Sequence, residues 1–176
     1  MRWAALLKGI NIGGKKIPMA DLKAVVEGLG HGDVKTLLAS GNVVFTCAET
    51  EGAALEKQLE AALGKYGLKT DVVLRNGVEL AAVIAGNPFP DAATDHPNHL
   101  LVSFHRDPVP EGLIAKLTEI YDGPERLKAV GRELYIDFPD DVGHSRLGPA
   151  MAKLKFPSLA TMRNWNTVGK LAGLLG

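Results

Sequence analysis

The sequence predicts an α+β fold made of two ferredoxin-like halves (the split βαβ, or α/β-plait, arrangement), with a degenerate second half and extra C-terminal helices. Three observations lead to this prediction. Short apolar runs alternate with helical patterns over the first 76 residues, most of this order returns after residue 97, and a proline-rich stretch separates the two parts. Hydrophobic residues make up 46% of the chain and charged residues 23%, as in an ordinary globular protein.

The first half follows the order strand, helix, strand, strand, helix, strand. Its predicted strands are residues 3–7, 34–39, 43–47 and 70–74, and its predicted helices begin at Pro18 and after a Thr50 cap. Apolar residues recur at helical spacing in both helices, and Gly30 ends the first of them. The three residues 40–42 fit a tight hairpin between the second and third strands.

The two halves are joined by a predicted linker. Asn76 and Glu79 have the spacing of a capping box, which opens a helix that runs to about residue 85. Residues 87–97 come next with three prolines, as is typical of a connecting segment. We therefore predict a first subdomain over residues 1–76, a linker helix and loop over 77–97, and a second subdomain over 98–176.

The second half repeats most of the same order. The patterns predict a strand at 99–104, a helix at 112–121, and strands at 127–130 and 133–138 around a Gly131-Arg132 turn. Two helices, at about 146–154 and 162–174, then close the chain. A helix is thus expected where the plait has its fourth strand.

Charge and cysteine content restrict the functional classes. The 20 Lys and Arg residues balance 20 Asp and Glu residues, so no net field attracts the protein to nucleic acid or to anionic lipid. No apolar run approaches the roughly 18 residues of a membrane span, and we expect no membrane partner. The single cysteine, Cys47, excludes an internal disulfide framework and fits a reducing compartment, which favours a cytoplasmic location. Its position at the end of an apolar strand predicts a small core residue.

Three polar segments at the ends of apolar elements predict a ligand site. They are residues 8–16, residues 40–42 and residues 163–167, and each combines flexible backbone with amide or cationic donors, which suits an anionic ligand. The predicted ligand-binding residues are Lys8, Asn11, Gly13, Gly14, Lys15, Ser40, Asn42, Arg163, Asn164 and Asn166. Residues 9–16 are not a P-loop, because Lys15 is followed by Lys16 and not by Ser or Thr.

Each segment also has a structural interpretation, and these alternatives stay open. Residues 8–16 also fit a solvated loop, and residues 40–42 fit a hairpin turn whatever the protein does. On a helical wheel, Met162 and Trp165 fall on the core side of the last helix, whereas Arg163 and Asn166 fall on the opposite side, facing outward or toward a groove. Whether the three segments meet is not determined by the sequence.

Several of these residues also carry a family resemblance. Residues 5–14, 18–22, 40–45 and 161–168, in this order, resemble the bacterial family named domain of unknown function 1697. The resemblance runs over almost the whole chain. It implies an α+β protein with ferredoxin-like halves, and it implies no particular activity, because none is established for that family.

The leading functional hypothesis is therefore a cytoplasmic domain that binds a small phosphate- or carboxylate-bearing ligand. The alternatives are a nucleic-acid-binding protein, which the zero net charge argues against, and a structural protein that assembles as a homodimer. No set of residues is assigned as acid, base and nucleophile, so whether the chain is an enzyme stays open. Asp141, His144 and Ser145 lie close in sequence, but Ser145 as a helix cap explains them equally well. No motif indicates a cofactor or a metal site.

Overall fold

The fold is mixed α and β, with two four-stranded antiparallel sheets. It is known from a computed structural model that describes residues 1–10, 15–37 and 41–176, and these ranges contain seven helices. The chain divides into two compact units, Met1–Ala82 with Lys170–Gly176, and Val83–Gly169. Over the same ranges, no helix combines the length and apolar character needed to cross a bilayer.

The first unit contains one sheet and the helices that cover it. Its elements are β1 (Arg2–Leu7), α1 (Met19–Gly28), β2 (Gly32–Leu37), β3 (Asn42–Thr46), α2 (Gly52–Tyr66) and β4 (Val72–Asn76), and the strands lie in the order β2-β3-β1-β4. All neighbouring strands are antiparallel. The predicted order of strands and helices in this half is therefore observed.

The core of the first unit explains its apolar runs. The strands β1, β3 and β4 are buried along nearly their whole length, so both alternating sets of side chains are mostly apolar, with Asn42 and Arg75 as buried polar exceptions. One set, including Trp3, Ala5 and Phe45, packs against apolar residues of the helices, such as Leu22 and Leu55. Each fully buried leucine contributes about 2 kcal/mol to folding through the hydrophobic effect. The edge strand β2 is mostly exposed.

The start of α2 differs from the prediction. The N-cap is Glu51 and not Thr50, and it makes no side-chain capping bond. Instead, Glu49 Oε1 accepts hydrogen bonds from the backbone N–H groups of Thr50 and Glu51, each at 2.8 Å. A carboxylate is a stronger acceptor at this positive helix end than a hydroxyl, which is why Glu49 replaces the predicted cap.

The capping box predicted after β4 is confirmed. Asn76 N–H donates to Glu79 Oε2 at 2.8 Å, and Glu79 N–H donates to Asn76 Oδ1 at 2.9 Å. The helix that begins there is α3 (Gly77–Ala85). A short helix, α4 (Pro90–Asp95), lies in the segment predicted as a loop, because a proline in the first turn is compatible with helix geometry.

The second unit repeats the sheet order of the first. Its elements are β5 (Leu100–His105), α5 (Leu113–Ile120), β6 (Arg126–Val130), β7 (Glu133–Asp137), α6 (Leu147–Lys153) and β8 (Ala160–Asn164), and the strands lie in the order β6-β7-β5-β8. The last helix, α7 (Trp165–Leu175), follows β8 directly.

The predicted helix at 162–174 is wrong at its start, because residues 160–164 form the strand β8. This strand pairs with β5, with Arg163 opposite Val102. Its side chains alternate as a strand requires: Thr161 and Arg163 are buried, whereas Met162 is 48% exposed. The fourth strand that the sequence pattern omitted is thus present, so the second half is not degenerate in its strand order.

The same kind of strand-to-helix junction occurs after β4 and after β8. Both of these strands end in Arg-Asn, and the next residue begins a helix. Asn164 Oδ1 accepts the backbone N–H of Thr167 at 3.0 Å, as Asn76 Oδ1 accepts that of Glu79. An asparagine side chain therefore ends the strand and caps the helix in both cases.

We expect Asn76→Ala and Asn164→Ala each to lower the free energy of unfolding by about 1 kcal/mol, because each removes the acceptor that caps a helix. Urea denaturation followed by circular dichroism measures the change. Asp in place of either asparagine keeps the acceptor and serves as the control. Equal losses for the Ala and Asp variants would contradict the capping role.

Candidate functional site

The segment between β1 and α1 is held at both ends. At its start, Lys8 N–H donates to the carbonyl oxygen of Asp71 at 3.0 Å, and Thr70 Oγ1 donates to the carbonyl oxygen of Lys8 at 2.6 Å. Ile10 and Ile17 are each 1% exposed and fix the segment to the core. Between them, Lys15 is exposed, as is its neighbour Lys16.

The turn between β2 and β3 lies against this segment. Leu7 N–H donates to the carbonyl oxygen of Gly41 at 2.9 Å. Gly41 has φ +86°, and a Cβ at this position would overlap the side chain of Ile10. Only glycine permits both this backbone conformation and this close approach. The first and second predicted segments therefore meet in the first unit.

Other predicted residues of these two segments differ in their surroundings. Asn42 is fully buried, and its Nδ2 donates to the carbonyl oxygen of Leu37 at 2.8 Å, so its amide closes the hairpin. Lys8 is half-buried. The predicted ligand residues Asn11, Gly13, Gly14 and Ser40 lie outside the described residues.

The N-terminal part of the chain, which contains this segment, is rich in positive charge. The first 20 residues contain Arg2, Lys8, Lys15 and Lys16 and no acidic residue. The α1 helix comes next, and its N-cap, Pro18, makes no side-chain capping bond. Lysines close to the positive end of a helix create an environment that favours an anion.

The nearest carboxylate along the chain is already engaged. Asp21, in the first turn of α1, accepts a hydrogen bond from the Tyr66 hydroxyl at 2.6 Å. This bond raises the pKa of Tyr66, because the hydroxyl proton is held by the carboxylate. Asp21 is thus oriented toward α2 by a neutral donor.

The third predicted segment belongs to the second unit, and its side chains are used within that unit. Arg163 is 6% exposed, and its Nη1 donates to Thr161 Oγ1 at 2.7 Å and to the carbonyl oxygen of Met162 at 2.8 Å. Burial lowers the pKa of Arg163 to about 10, which leaves it charged at neutral pH. Asn164 caps α7, and the exposed Asn166 donates to Asn98 Oδ1.

The expectation that Arg163 faces outward is therefore wrong. The helical wheel placed Arg163 opposite Met162 and Trp165, but residues 160–164 follow the two-residue period of a strand, which reverses the two positions. Trp165, expected in the core, is partly buried at the start of α7.

Ser145, expected as the cap of the helix after β7, instead directly precedes the N-cap of α6, which is Arg146 and makes no side-chain capping bond. Ser145 Oγ accepts the backbone N–H of Leu147 at 3.1 Å, at the start of α6, and donates to Glu125. The Tyr121 hydroxyl donates to the same carboxylate at 2.7 Å. Burial opposes ionisation of Glu125, but these two hydrogen bonds outweigh it and hold the pKa of Glu125 below its usual value. Tyr121, Glu125 and Ser145 line a cavity of about 380 Å³.

Sequence reasoning missed an ion pair in the second unit between an exposed arginine, Arg126, and a buried carboxylate. Asp137 is 2% exposed, and its carboxylate accepts Arg126 Nε at 2.8 Å and contacts His96 Nε2 at 2.5 Å. Arg126 also reaches Asp91 at 2.8 Å and lies over the ring of Phe89. The sequence feature that could have revealed this pair is the hairpin register, since a two-residue turn at 131–132 sets residue 126 opposite residue 137.

The described ranges contain no candidate metal centre. Among their residues, no group of three or more His, Cys, Asp or Glu side chains is placed to hold a metal ion.

The chain belongs to the family described as "Protein of unknown function (DUF1697)", whose model matches residues 1–135. The resemblance predicted from the sequence motifs is thereby confirmed. Among solved structures, the chain is similar to the conserved bacterial protein SP0830 from Streptococcus pneumoniae, with 25% identity and a TM-score of 0.76 over 99% of this chain and 98% of that chain. No curated protein matches the chain significantly. The function of the family is unknown.

We expect Gly41→Ala to lower the free energy of unfolding by about 3 kcal/mol, because the new Cβ overlaps Ile10 and the backbone keeps a positive φ. Thermal and urea denaturation measure the loss. Gly64→Ala is the matched control: nothing lies within 4 Å of a Cβ at that helical site, so a gain of about 0.5 kcal/mol is expected. Equal stabilities of the two variants would rule out the close approach.

We expect Arg126→Ala to lower the free energy of unfolding by about 2 kcal/mol, because it removes a cationic partner from the buried Asp137 carboxylate while His96 remains. Asp91→Asn removes only the exposed partner of the same arginine and is expected to change stability by less than about 0.5 kcal/mol. Chemical denaturation of both variants at pH 7 compares the two losses. A larger loss for the Asp91 variant would contradict this assignment.

Proposed function

We propose that the first unit binds a small phosphate- or carboxylate-bearing ligand between the β1–α1 segment and the β2–β3 turn. The observation that carries the proposal is the close approach of Gly41 to Ile10. It brings the turn against the β1–α1 segment, residues 8–16, which contains three lysines. The two segments are about 25 residues apart or more in sequence, so this adjacency is a product of the fold.

The chemistry of the segment supports an anionic ligand. Lys15 and Lys16 are exposed, and Lys8 is half-buried at the other end of the segment. Cations held on an anchored segment lose less conformational entropy on binding than cations on a free loop. Asn11, Gly13, Gly14 and Ser40 stay in the proposed site as sources of amide and backbone donors.

The proposed site is confined to the first unit. Asn42 acts indirectly in this proposal, because its amide sets the hairpin and does not face a ligand. Arg163, Asn164 and Asn166 have partners within the second unit, and they carry no part of the binding argument. No catalytic step is proposed.

We also propose that both halves are ferredoxin-like, with subdomains over residues 1–76 and 98–176 and a linker over 77–97. The strand orders β2-β3-β1-β4 and β6-β7-β5-β8 support this, because each has the first strand of its half beside the third and the fourth. The capped helix α3 supports the start of the linker at residue 77. A cytoplasmic location remains part of the proposal, since one cysteine fits a reducing compartment.

We expect wild-type protein to bind pyrophosphate or citrate, and Lys15→Ala/Lys16→Ala to weaken that binding about tenfold or more, because two charges near the ligand are lost. Isothermal titration at low salt, with thermal shift as a second readout, measures the change. Lys57→Ala removes an exposed lysine from α2 and is the control expected to bind as wild type.

The anion titration, together with RNA-binding and mass measurements, separates the proposal from its alternatives. Equal affinity of the wild type and the double variant would overturn the site. Binding of random RNA with a steep salt dependence would favour the nucleic-acid hypothesis instead. A dimeric mass that is unaffected by either anion would favour the assembly role.

A further inference from the structure

The strand β6 forms an open edge of the second sheet. Among the residues that the structure describes, its only strand neighbour is β7, because the sheet order is β6-β7-β5-β8. A cavity of about 430 Å³ lies beside this edge, and its volume is within the range of ligand pockets. Three consecutive residues of β6, Leu127, Lys128 and Ala129, line the cavity. Since successive side chains of a strand point to opposite faces, the cavity contacts the edge of β6 and not one face alone.

The hydrogen bonds of β7 show which backbone groups of β6 are turned outward. His105 N–H, on β5, donates to the carbonyl oxygen of Arg132 at 2.8 Å. The next residue, Glu133, therefore directs its own N–H and C=O groups to the opposite side, where its partner on β6 is Val130. Glu133 and Val130 are thus a hydrogen-bonded pair, as expected for residues that flank a two-residue turn.

Backbone groups alternate in direction along a strand, so the rest of β6 follows from this pair. Val130, Lys128 and Arg126 direct their N–H and C=O groups to β7, whereas Ala129 and Leu127 direct theirs to the open edge. Within the described ranges, no backbone hydrogen bond links the outward groups of Ala129 or Leu127 to another segment. These two residues therefore offer two donors and two acceptors, which a further antiparallel strand requires.

The corresponding edge strand of the first unit lacks this regular arrangement. The β2–β3 register shifts between Gly32 and Lys35, and Asp33 within this stretch has a φ of +48°. A bulge of this kind turns backbone groups out of line and protects an edge from further pairing. The β6–β7 register has no such shift over its five described pairs. Of these two edge strands, β6 is therefore the one suited to strand addition.

The cavity beside β6 is held in place by the fold. Val109 is 7% exposed, and its N–H donates to the carbonyl oxygen of Gly131 at 3.0 Å, which fixes the segment before α5 to the turn after β6. Pro108 and Pro110 restrict the backbone on either side of this bond. Ile114, on α5, adds an apolar wall. Because these walls are already ordered, a ligand that enters the cavity loses less free energy to ordering the protein.

The two faces of β6 differ in chemistry. Leu127 and Ala129 pack against the apolar core of the second unit, as does the cavity residue Ile114, so the three share one face of the sheet. Lys128 lies on the other face, is exposed, and makes no ion pair with the residues that the structure describes. Glu111 lines the cavity, which disfavours a carboxylate on the cavity side. A strand paired with β6 fits best if its cavity side is apolar and its other side is acidic.

Lys128 also argues against a second copy of β6 as the occupant of this edge. If two copies paired antiparallel through Leu127 and Ala129, the two Lys128 side chains would lie directly opposite each other. Like charges in directly opposed positions destabilise a ladder, whereas opposite charges stabilise it. Charge complementarity therefore favours a strand from a different protein, with a carboxylate at the central position.

We propose that β6 is a docking edge for an extended peptide segment of a partner protein, which adds antiparallel to β6 as a new strand of the second sheet. The segment has the alternation apolar, acidic, apolar. Its apolar residues exchange hydrogen bonds with Ala129 and Leu127 and place their side chains at the cavity, while its acidic residue pairs with Lys128. All of these residues belong to the second unit, so the docking edge is independent of the proposed anion site.

The probe is a capped synthetic peptide, acetyl-Thr-Ile-Glu-Ile-Thr-amide, whose isoleucines have high strand propensity. Hydrogen exchange followed by NMR measures the protection of individual amides in the full chain. In the free protein, we expect the amides of Leu127 and Ala129 to exchange at least about tenfold faster than those of Lys128 and Val130, because only the latter bond to β7. Saturating peptide is expected to slow the exchange of the Leu127 and Ala129 amides about tenfold or more.

Two N-methylated peptides separate strand addition from simple apolar binding. Methylation of the first isoleucine nitrogen removes a donor that faces β6, and it is expected to weaken binding about tenfold or more. Methylation of the glutamate nitrogen removes a donor that faces away from β6. This matched control is expected to keep its affinity within about threefold of the parent peptide.

Charge reversal tests the role of the lysine. Lys128→Glu is expected to weaken the parent peptide about fivefold, and to strengthen by a similar factor a peptide with lysine in place of its glutamate. Lys35→Glu reverses an exposed lysine on β2 and is the control expected to bind as wild type. Lys15→Ala/Lys16→Ala is also expected to bind the peptide normally, so failure of the docking edge is distinguishable from failure of the anion site. Circular dichroism establishes that each variant is folded.

Three results would overturn the proposal. They are unchanged exchange of the Leu127 and Ala129 amides at millimolar peptide, equal affinities of the two N-methylated peptides, or an unchanged charge preference in folded Lys128→Glu. In addition, protection of the same two amides that rises with protein concentration in the absence of peptide would assign this edge to a second copy of the chain instead.

Discussion

The central position of β1 is the constraint on which the first unit depends. This strand pairs with β3 on one edge and with β4 on the other, and both of its faces are buried. Because β1 ends at Leu7, whose N–H donates to the carbonyl oxygen of Gly41, the segment that follows β1 begins beside the β2–β3 turn. In the second unit, β5 has the same place between β7 and β8.

Local signals were sufficient for much of this architecture. The capping box at Asn76 and Glu79 was readable because both partners lie three residues apart, and the first four strands were readable because their apolar runs end at polar turns. Such features depend on neighbours in the sequence, so their physical cause is visible in the sequence alone.

The errors arose where distant contacts decide the structure. Met162, Trp165 and Val168 fit a helical period, and a buried arginine contradicts the usual link between charge and exposure, so β8 was hidden until its pairing with β5 was known. Likewise, Arg126 and Asp137 are brought together only by the β6–β7 ladder. Of the candidate ligand site, the sequence predicted the residue types but not which segments meet.

The direct passage from strand to helix at Asn76 limits how this chain can change length. No residue separates β4 from α3, so the direction of the strand fixes the rotation of the helix about its axis. An α-helix turns by about 100° per residue, and one inserted residue would swing the buried Leu80 and Val83 toward solvent. The same holds after Asn164, where Val168 is buried. Insertions are therefore expected to be tolerated in the turns of this protein. At the two Arg-Asn junctions, an inserted residue would rotate the following helix and expose its buried face.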